Sequence, residues 1–149
     1  MPSKKIVPMD DFTYKLMFDG GSRGNPGIAG AGYVIYENNI EIYSEACPIG
    51  INNTNNEAEY LGLIYGLQKA VELNIKDILI NGDSKLIIEQ VTGNWKVKSK
   101  NLISLCQKSQ LLLHNFNKYG FQHILRKYNK RADELANIAM DNLKLNIPI

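Results

Sequence analysis

The order in which hydrophobic periodicity changes along the chain is its tightest constraint on fold. Tyr14 to Asp19 alternates as a strand does, and the stretch from Gly20 to Gly32 is rich in turn formers. Ala31 to Tyr36 and Ile40 to Cys47 are further strand-like runs, joined by Glu37-Asn38-Asn39, which predicts a hairpin. A polar stretch, GINNTNN, then opens a helix from about Glu57 to Leu73. Asp77 to Asn81 reads as a short strand, Ser84 to Val91 as a short helix, and Asn101 to about Asn117 as a second amphipathic helix ending near Gly120. Phe121 to Arg126 is the last expected strand and Arg131 to Lys144 the last helix. The order βββαβααβα predicts a mixed sheet flanked by helices, an α/β sandwich.

Length and composition fit one compact domain. The chain has 149 residues, 44% of them hydrophobic, enough for a real core. The domain is expected over residues 13–145, with an arm over 1–12 and a tail over 146–149. No apolar run approaches the roughly 18 residues needed to cross a membrane, and MPSKKIVPMDDF lacks the apolar core of a signal peptide. Cys47 and Cys106 are isolated, which predicts free thiols. A cytoplasmic monomer without an obligatory protein partner is the resulting expectation. Net charge is only +2, yet residues 1–75 hold five basic and nine acidic residues against twelve and six in the remainder. A basic face for a polyanion is compatible with that asymmetry.

Four acids fall at or near the ends of expected elements: Asp19, Glu59, Asp83 and Asp133. If they converge beside a sheet, their mutual repulsion and lost solvation need compensation. Hard carboxylate oxygens favour Mg²⁺ or Mn²⁺, and a pair of such ions roughly 4 Å apart suits phosphodiester hydrolysis. Each acid also has an ordinary structural explanation. Asp19 closes the first strand before Gly20-Gly21, where a turn Asp is common. Asp83 sits where an N-cap is expected, in competition with Ser84. Asp133 lies in the first turn of the last helix, where the dipole favours acids. Glu57 and Glu59 separate by helical phase. Thr54-x-x-Glu57 has capping-box spacing, whereas Glu59 shares a stripe with Gly62, Leu63, Gly66 and Ala70 that faces inward. Glu59 is therefore the ligand candidate and Glu57 the cap.

Taken together, DGGSRGNPG, TNNEAEYLGLI, GDSKLI and NKRADELAN resemble the type 1 ribonuclease H family, in family order, over about Tyr14 to Lys144. The resemblance implies a ribonuclease H-like fold, with a five-stranded mixed β-sheet flanked by α-helices on both sides. It implies hydrolysis of the RNA strand of RNA–DNA hybrids, leaving 5′-phosphate and 3′-hydroxyl ends. Asp19, Glu59, Asp83 and Asp133 map onto the family's metal-binding carboxylates, with two Mg²⁺ ions expected and Mn²⁺ as a substitute.

Hybrid recognition requires donors and acceptors at a shallow groove. Asn25, Asn55 and Asn56 are suitable types, and the family's GNPG and TNN words implicate Asn25 and Thr54. Ser84 beside Asp83 joins the candidate contacts. Trp95 with Lys96, Lys98 and Lys100 suits a sugar-phosphate strand, although a half-buried aromatic between helices is an equal reading. Arg126 and Lys127 precede the last helix, and any electrostatic help near the scissile phosphate is expected from one or the other, with Arg126 the candidate contact. His123, on the expected face of Phe121 and Leu125, is expected to be packed or half exposed. Three departures from many relatives stand out. No long basic insertion follows Trp95, only about a dozen residues precede the core, and Lys127 to Ala132 contains no histidine.

Other readings are a nuclease of the same fold acting on duplex RNA or branched DNA, and a non-catalytic nucleic-acid-binding module. A nucleotide-binding protein is disfavoured, because the glycine-rich loop is not GxGxxG at the required place and no GKS or GKT occurs.

Overall fold

A computed structural model describes residues 11–146. Its elements are β1 (Tyr14–Arg23), β2 (Gly27–Glu37), β3 (Ile40–Asn53), α1 (Asn55–Glu72), β4 (Asp77–Gly82), α2 (Lys85–Val91), α3 (Lys100–Leu113), β5 (Lys118–His123), a 3₁₀ turn (Arg126–Tyr128) and α4 (Lys130–Leu145). The five strands form one sheet in the order β3-β2-β1-β4-β5. β1, β2 and β3 pair antiparallel, whereas β4 lies parallel to both β1 and β5. This is the mixed sheet expected from the element order.

The faces of β2 explain the layering. Ala31, Tyr33 and Ile35 join Leu16 and Phe18 of β1, Ile78 and Ile80 of β4, and Tyr60, Leu63 and Leu67 of α1 in the main core. A Cβ at Gly30 would meet Ala139, and one at Gly32 would meet Leu135, so the alternate face of β2 lies against α4. Helices therefore cover both sides of the sheet. No helix among the described residues is long and apolar enough to cross a membrane, and Cys47 and Cys106 are buried free thiols.

The hairpin at Asn38-Asn39 is as expected, with both residues at positive φ (50° and 68°), the twist a two-residue turn requires. Several expectations need correction. The glycine-rich stretch from Gly20 is mostly strand: β1 continues to Arg23, β2 begins at Gly27, and only Gly24–Pro26 turns, with Gly24 at φ 113°. α1 begins at Asn55 rather than Glu57, because Thr54 is its N-cap.

The last strand spans Lys118–His123, not Phe121–Arg126, and α3 ends at Leu113 rather than near Asn117. The amides of Asn117 and Lys118 both donate to the Lys76 carbonyl, at 2.8 and 3.2 Å, drawing the chain early onto the start of β4. Gly120 is a packing glycine instead of a helix stop. A Cβ there would lie 3.1 Å from the ring of Phe12, which is itself buried. The expected arm is thus outside the described residues through residue 10, while Phe12 packs on β5. Residues 147–149 of the expected tail are likewise outside them.

Glycines also set the distance between β1 and α1. A Cβ on Gly20 would run into the backbone of Ala58 and Glu59, and one on Gly62 would sit 2.6 Å from the Asp19 carbonyl oxygen. Gly20→Ala should therefore destabilise the fold by about 1–3 kcal/mol through overpacking. Gly21→Ala, whose added methyl would find Met140 Cε at 3.7 Å, should stay within about 0.5 kcal/mol. Urea unfolding of the two variants measures the difference.

Candidate active site

Register brings Asp19 and Asp83 together. The parallel pairing of β1 with β4 stops at Phe18 opposite Gly82, while Asp19 continues in β1 opposite Gly32 of β2. Asp83 therefore leaves the sheet beside Asp19, at the carboxyl end of a parallel strand where sites form in α/β folds. Asp19 lies inside β1, not at its end as the sequence pattern suggested. Ser84 caps α2 by accepting from the Ile87 amide at 3.4 Å, which frees Asp83 from that task.

α1 supplies the third carboxylate. Thr54 Oγ1 accepts from the Glu57 amide at 3.2 Å, and the Thr54 amide donates to Glu57 Oε1 at 2.8 Å, so both halves of the capping box are formed. Two residues on, Glu59 turns inward and is buried. Carboxylate oxygens of Asp19, Glu59 and Asp83 all lie within 4.8 Å of one another. Asp133, in the first turn of α4, lines the same cleft of about 390 Å³. Its carboxylate stands outside that tight group and pairs with Arg126 at 3.5 Å.

Crowding and burial change how these acids hold their protons. Burial pushes Asp19 up to about 7 from an ordinary 3.8, and the Asp83 and Asp133 carboxyls add to the rise. A hydrogen bond with Glu59 and another from the Gly20 amide pull the other way. Burial, then the Asp19 charge, raises Glu59 well above the usual carboxylate range. Glu59 Oε2 is buried and has no hydrogen-bond partner among the described residues. Crowded oxygen donors with an unpaired buried oxygen fit a hard divalent cation better than zinc or a soft metal.

Neighbouring residues fall into three groups. The first is a polar clip at the rim: Asn25 Oδ1 accepts from the Asn55 amide at 2.9 Å, and Asn55 Oδ1 accepts from the Ser22 amide at 2.7 Å. The amide nitrogens of both side chains have no partner among the described residues. Asn55, Asn56, Ser84 and Arg126 line the cleft, whereas Asn25, Thr54, Trp95, Lys96 and Lys98 do not. The second group continues outward from Ser84. Lys85 places Nζ 5.9 Å from the centroid of Trp95, which is 44% exposed, and Lys96, Lys98 and Lys100 are exposed beyond it. Lys85 was not singled out by the sequence pattern, since nothing there marks which lysine meets the tryptophan.

The third group lies under Asp83. His123 is exposed, not packed, and its Nε2 lies 3.1 Å from the Asp83 carbonyl oxygen. Asn129 is almost wholly buried, and its Nδ2 donates to the Phe18 carbonyl at 2.8 Å and to Asp83 Oδ2 at 3.0 Å. Asn129 was not singled out by the sequence pattern; it stands at the N-cap position of α4, where its side chain makes no capping bond.

A family model described as "Reverse transcriptase-like" matches residues 17–139. The Mycobacterium tuberculosis protein named "Bifunctional protein Rv2228c" is 44% identical over 83% of this chain and 34% of its own length. Its solved N-terminal RNase H domain superposes with a TM-score of 0.85 at 40% identity, covering 90% of this chain and 97% of that one. "Ribonuclease HI" of Halobacterium salinarum is 39% identical over 84% of this chain and 63% of its own length. Its crystal structure gives a TM-score of 0.83 at 38% identity over 87% and 98% of the two chains. LC11-RNase H1, solved in complex with an RNA/DNA hybrid, gives 0.82 at 34% identity over 88% and 99%. This chain thus spans about a third of the mycobacterial relative and 63% of the halobacterial one.

The raised carboxyls make stability depend on pH in a definite direction. Below pH 4 Asp19 is largely protonated in both folded and unfolded chains, so it adds no pH dependence there. Between about 4 and 7 the folded state binds a proton that the unfolded state lacks, so stability falls as pH rises through this window. Metal-free protein should therefore melt at a higher temperature at pH 5 than at pH 8. Mg²⁺ should raise the pH 8 value, and Asp19→Asn should flatten the slope; calorimetric scans after chelation check all three.

Proposed function

The chain belongs to the type 1 ribonuclease H family, and from that premise we propose that it hydrolyses the RNA strand of RNA–DNA hybrids, leaving 5′-phosphate and 3′-hydroxyl ends. The observation that carries the reading is the convergence of Asp19, Glu59 and Asp83 within 4.8 Å at the end of β4, in a cleft also lined by Asp133. The hybrid in the LC11-RNase H1 complex supports the choice of substrate.

In this reading Asp19, Glu59, Asp83 and Asp133 hold a pair of Mg²⁺ ions, with Mn²⁺ as a substitute. Bound there, the ions supply positive charge to the scissile phosphate and to the attacking and leaving oxygens. The protein's own part is positioning. The Gly20–Ala58 contact fixes Glu59 against Asp19, and the capping box fixes the start of α1. Arg126, paired with Asp133 across 3.5 Å, offers a permanent cation at the phosphate. The free amide nitrogens of Asn25 and Asn55 are donors suited to ribose hydroxyls or backbone oxygens. Thr54 contributes through the cap it forms. Asn56 and Ser84 extend the polar lining toward Lys85 and Trp95, where the second strand of the hybrid finds lysines and an aromatic face.

A strand-labelled hybrid tests this directly. Mg²⁺ should support cutting of the RNA strand only, chelation should abolish it, and duplex DNA should remain intact. Glu59→Gln should lower turnover by more than about a hundredfold, beyond the range seen for groups that merely support a metal ligand. Glu57→Gln should stay within about twofold, since Gln also completes a capping box. Equal losses in the two variants would reject the assignment of Glu59.

The lysines predict a different signature. Replacing Lys96, Lys98 and Lys100 together should raise KM with little change in kcat. The slope of log binding constant against log salt should shrink by about 0.7–0.9 for each phosphate that is no longer neutralised. Binding titrations with a non-cleavable hybrid at several salt concentrations provide the measurement.

A further inference from the structure

We propose that Asn129 is a positioning residue for the metal-binding carboxylates, locking Asp83 to the middle of β1 through a single shared side-chain amide. The inference rests on the metal-binding reading of the acidic cluster. Three hydrogen bonds carry it. Asn129 Nδ2 donates to the Phe18 carbonyl at 2.8 Å, one residue before Asp19. The same nitrogen donates to Asp83 Oδ2 at 3.0 Å. The Asn129 carbonyl accepts from the Asp133 amide at 3.1 Å, fixing the first turn of α4. One residue therefore touches the chain at or beside three acids that come from three different elements.

The chemistry requires an amide at this place. Both hydrogens of the NH₂ group are used, one on the Phe18 carbonyl and one on a carboxylate. Aspartate of the same shape would offer no donor and would add a like charge beside Asp83. Alanine would remove both donated bonds, the one to the Phe18 carbonyl and the one that holds the Asp83 carboxylate. Asn129 is 1% exposed, and its Oδ1 is buried without a partner. A buried polar side chain that leaves one oxygen unsatisfied is a poor choice for stability alone. Its retention is explained if the two donated bonds orient a ligand, as partners of metal-ligating groups do.

The test is metal affinity rather than turnover alone. In isothermal titration with Mn²⁺, Asn129→Ala should bind about 10–100-fold more weakly than the wild type. In an Asp83→Ala background the same change should alter affinity by less than about twofold, because the group being oriented is already gone. Wild-type affinity in Asn129→Ala, with only the melting temperature lowered, would overturn the proposal and leave a purely structural residue. A wild type that binds no Mn²⁺ would overturn the metal-binding reading itself, and this inference with it. If Asn129→Ala does not fold, the wild type still decides. The Asn129 side-chain ¹⁵N–¹H₂ signals should exchange slowly with solvent and shift on addition of Mg²⁺ together with the Asp83 amide. Signals that stay fixed while that amide moves would reject the coupling.

Discussion

The arrangement depends on a contact in which no side chain takes part. At Gly20 and Gly62 the backbones of β1 and α1 meet directly, so that one added methyl at either position would overlap the opposite main chain. A helix normally rides about 10 Å above a sheet on its side chains. Here no side chain separates the two at Gly20 and Gly62, which lets a side chain as short as glutamate reach Asp19 from the next layer. The parallel pairing of β1 and β4 then delivers Asp83 to the same place by register alone. The candidate site is thus a product of where two elements touch and where one ladder ends.

That geometry works against the stability of the protein alone. Of the three carboxylates within 4.8 Å, the two buried ones, Asp19 and Glu59, hold their protons to higher pH than exposed acids do. The surrounding fold absorbs this strain with a large apolar core in which Tyr33, Tyr60, Phe18, Leu63 and Ile80 are fully buried. Ion pairs farther out, Arg23 with Asp141 and Arg131 with Glu41 and Glu134, tie α4 to the strands and to itself. They are exposed and add little individually; their use is to keep the helix carrying Asp133 in register with the sheet.

Much of this was legible in the chain. Changes of hydrophobic period marked the strands and helices in order, and helical phase alone separated Glu57 from Glu59. The readings that failed share one cause: a local signal was overridden by a partner distant in sequence. Glycines 20 and 21 looked like a turn, yet they are in a strand because β2 pairs with them and α1 needs Gly20 bare. Gly120 looked like a helix stop, yet it makes room for Phe12 across more than a hundred residues. Asn129 carried no signal at all in the sequence, yet its side chain serves Phe18 and Asp83. Sequence pattern reads what a segment prefers by itself, and tertiary demands at close-packed or polar buried positions lie beyond it.

The clip of Asn25, Asn55 and Ser22 has a thermodynamic consequence. Each asparagine oxygen is held by a backbone amide of another segment, so the β1–β2 turn and the start of α1 behave as one body. Two side chains that would otherwise sample several rotamers are already fixed when a ligand arrives. The entropy of ordering such groups, about 0.5–1.5 kcal/mol for each when it falls at binding, is here met during folding. If the cleft takes a hybrid as proposed, a strand that matches the spacing of the two side-chain NH₂ groups would gain hydrogen bonds without the cost of ordering them. Rigidity at the rim would then act as a ruler, converting a difference of backbone shape into a difference of affinity.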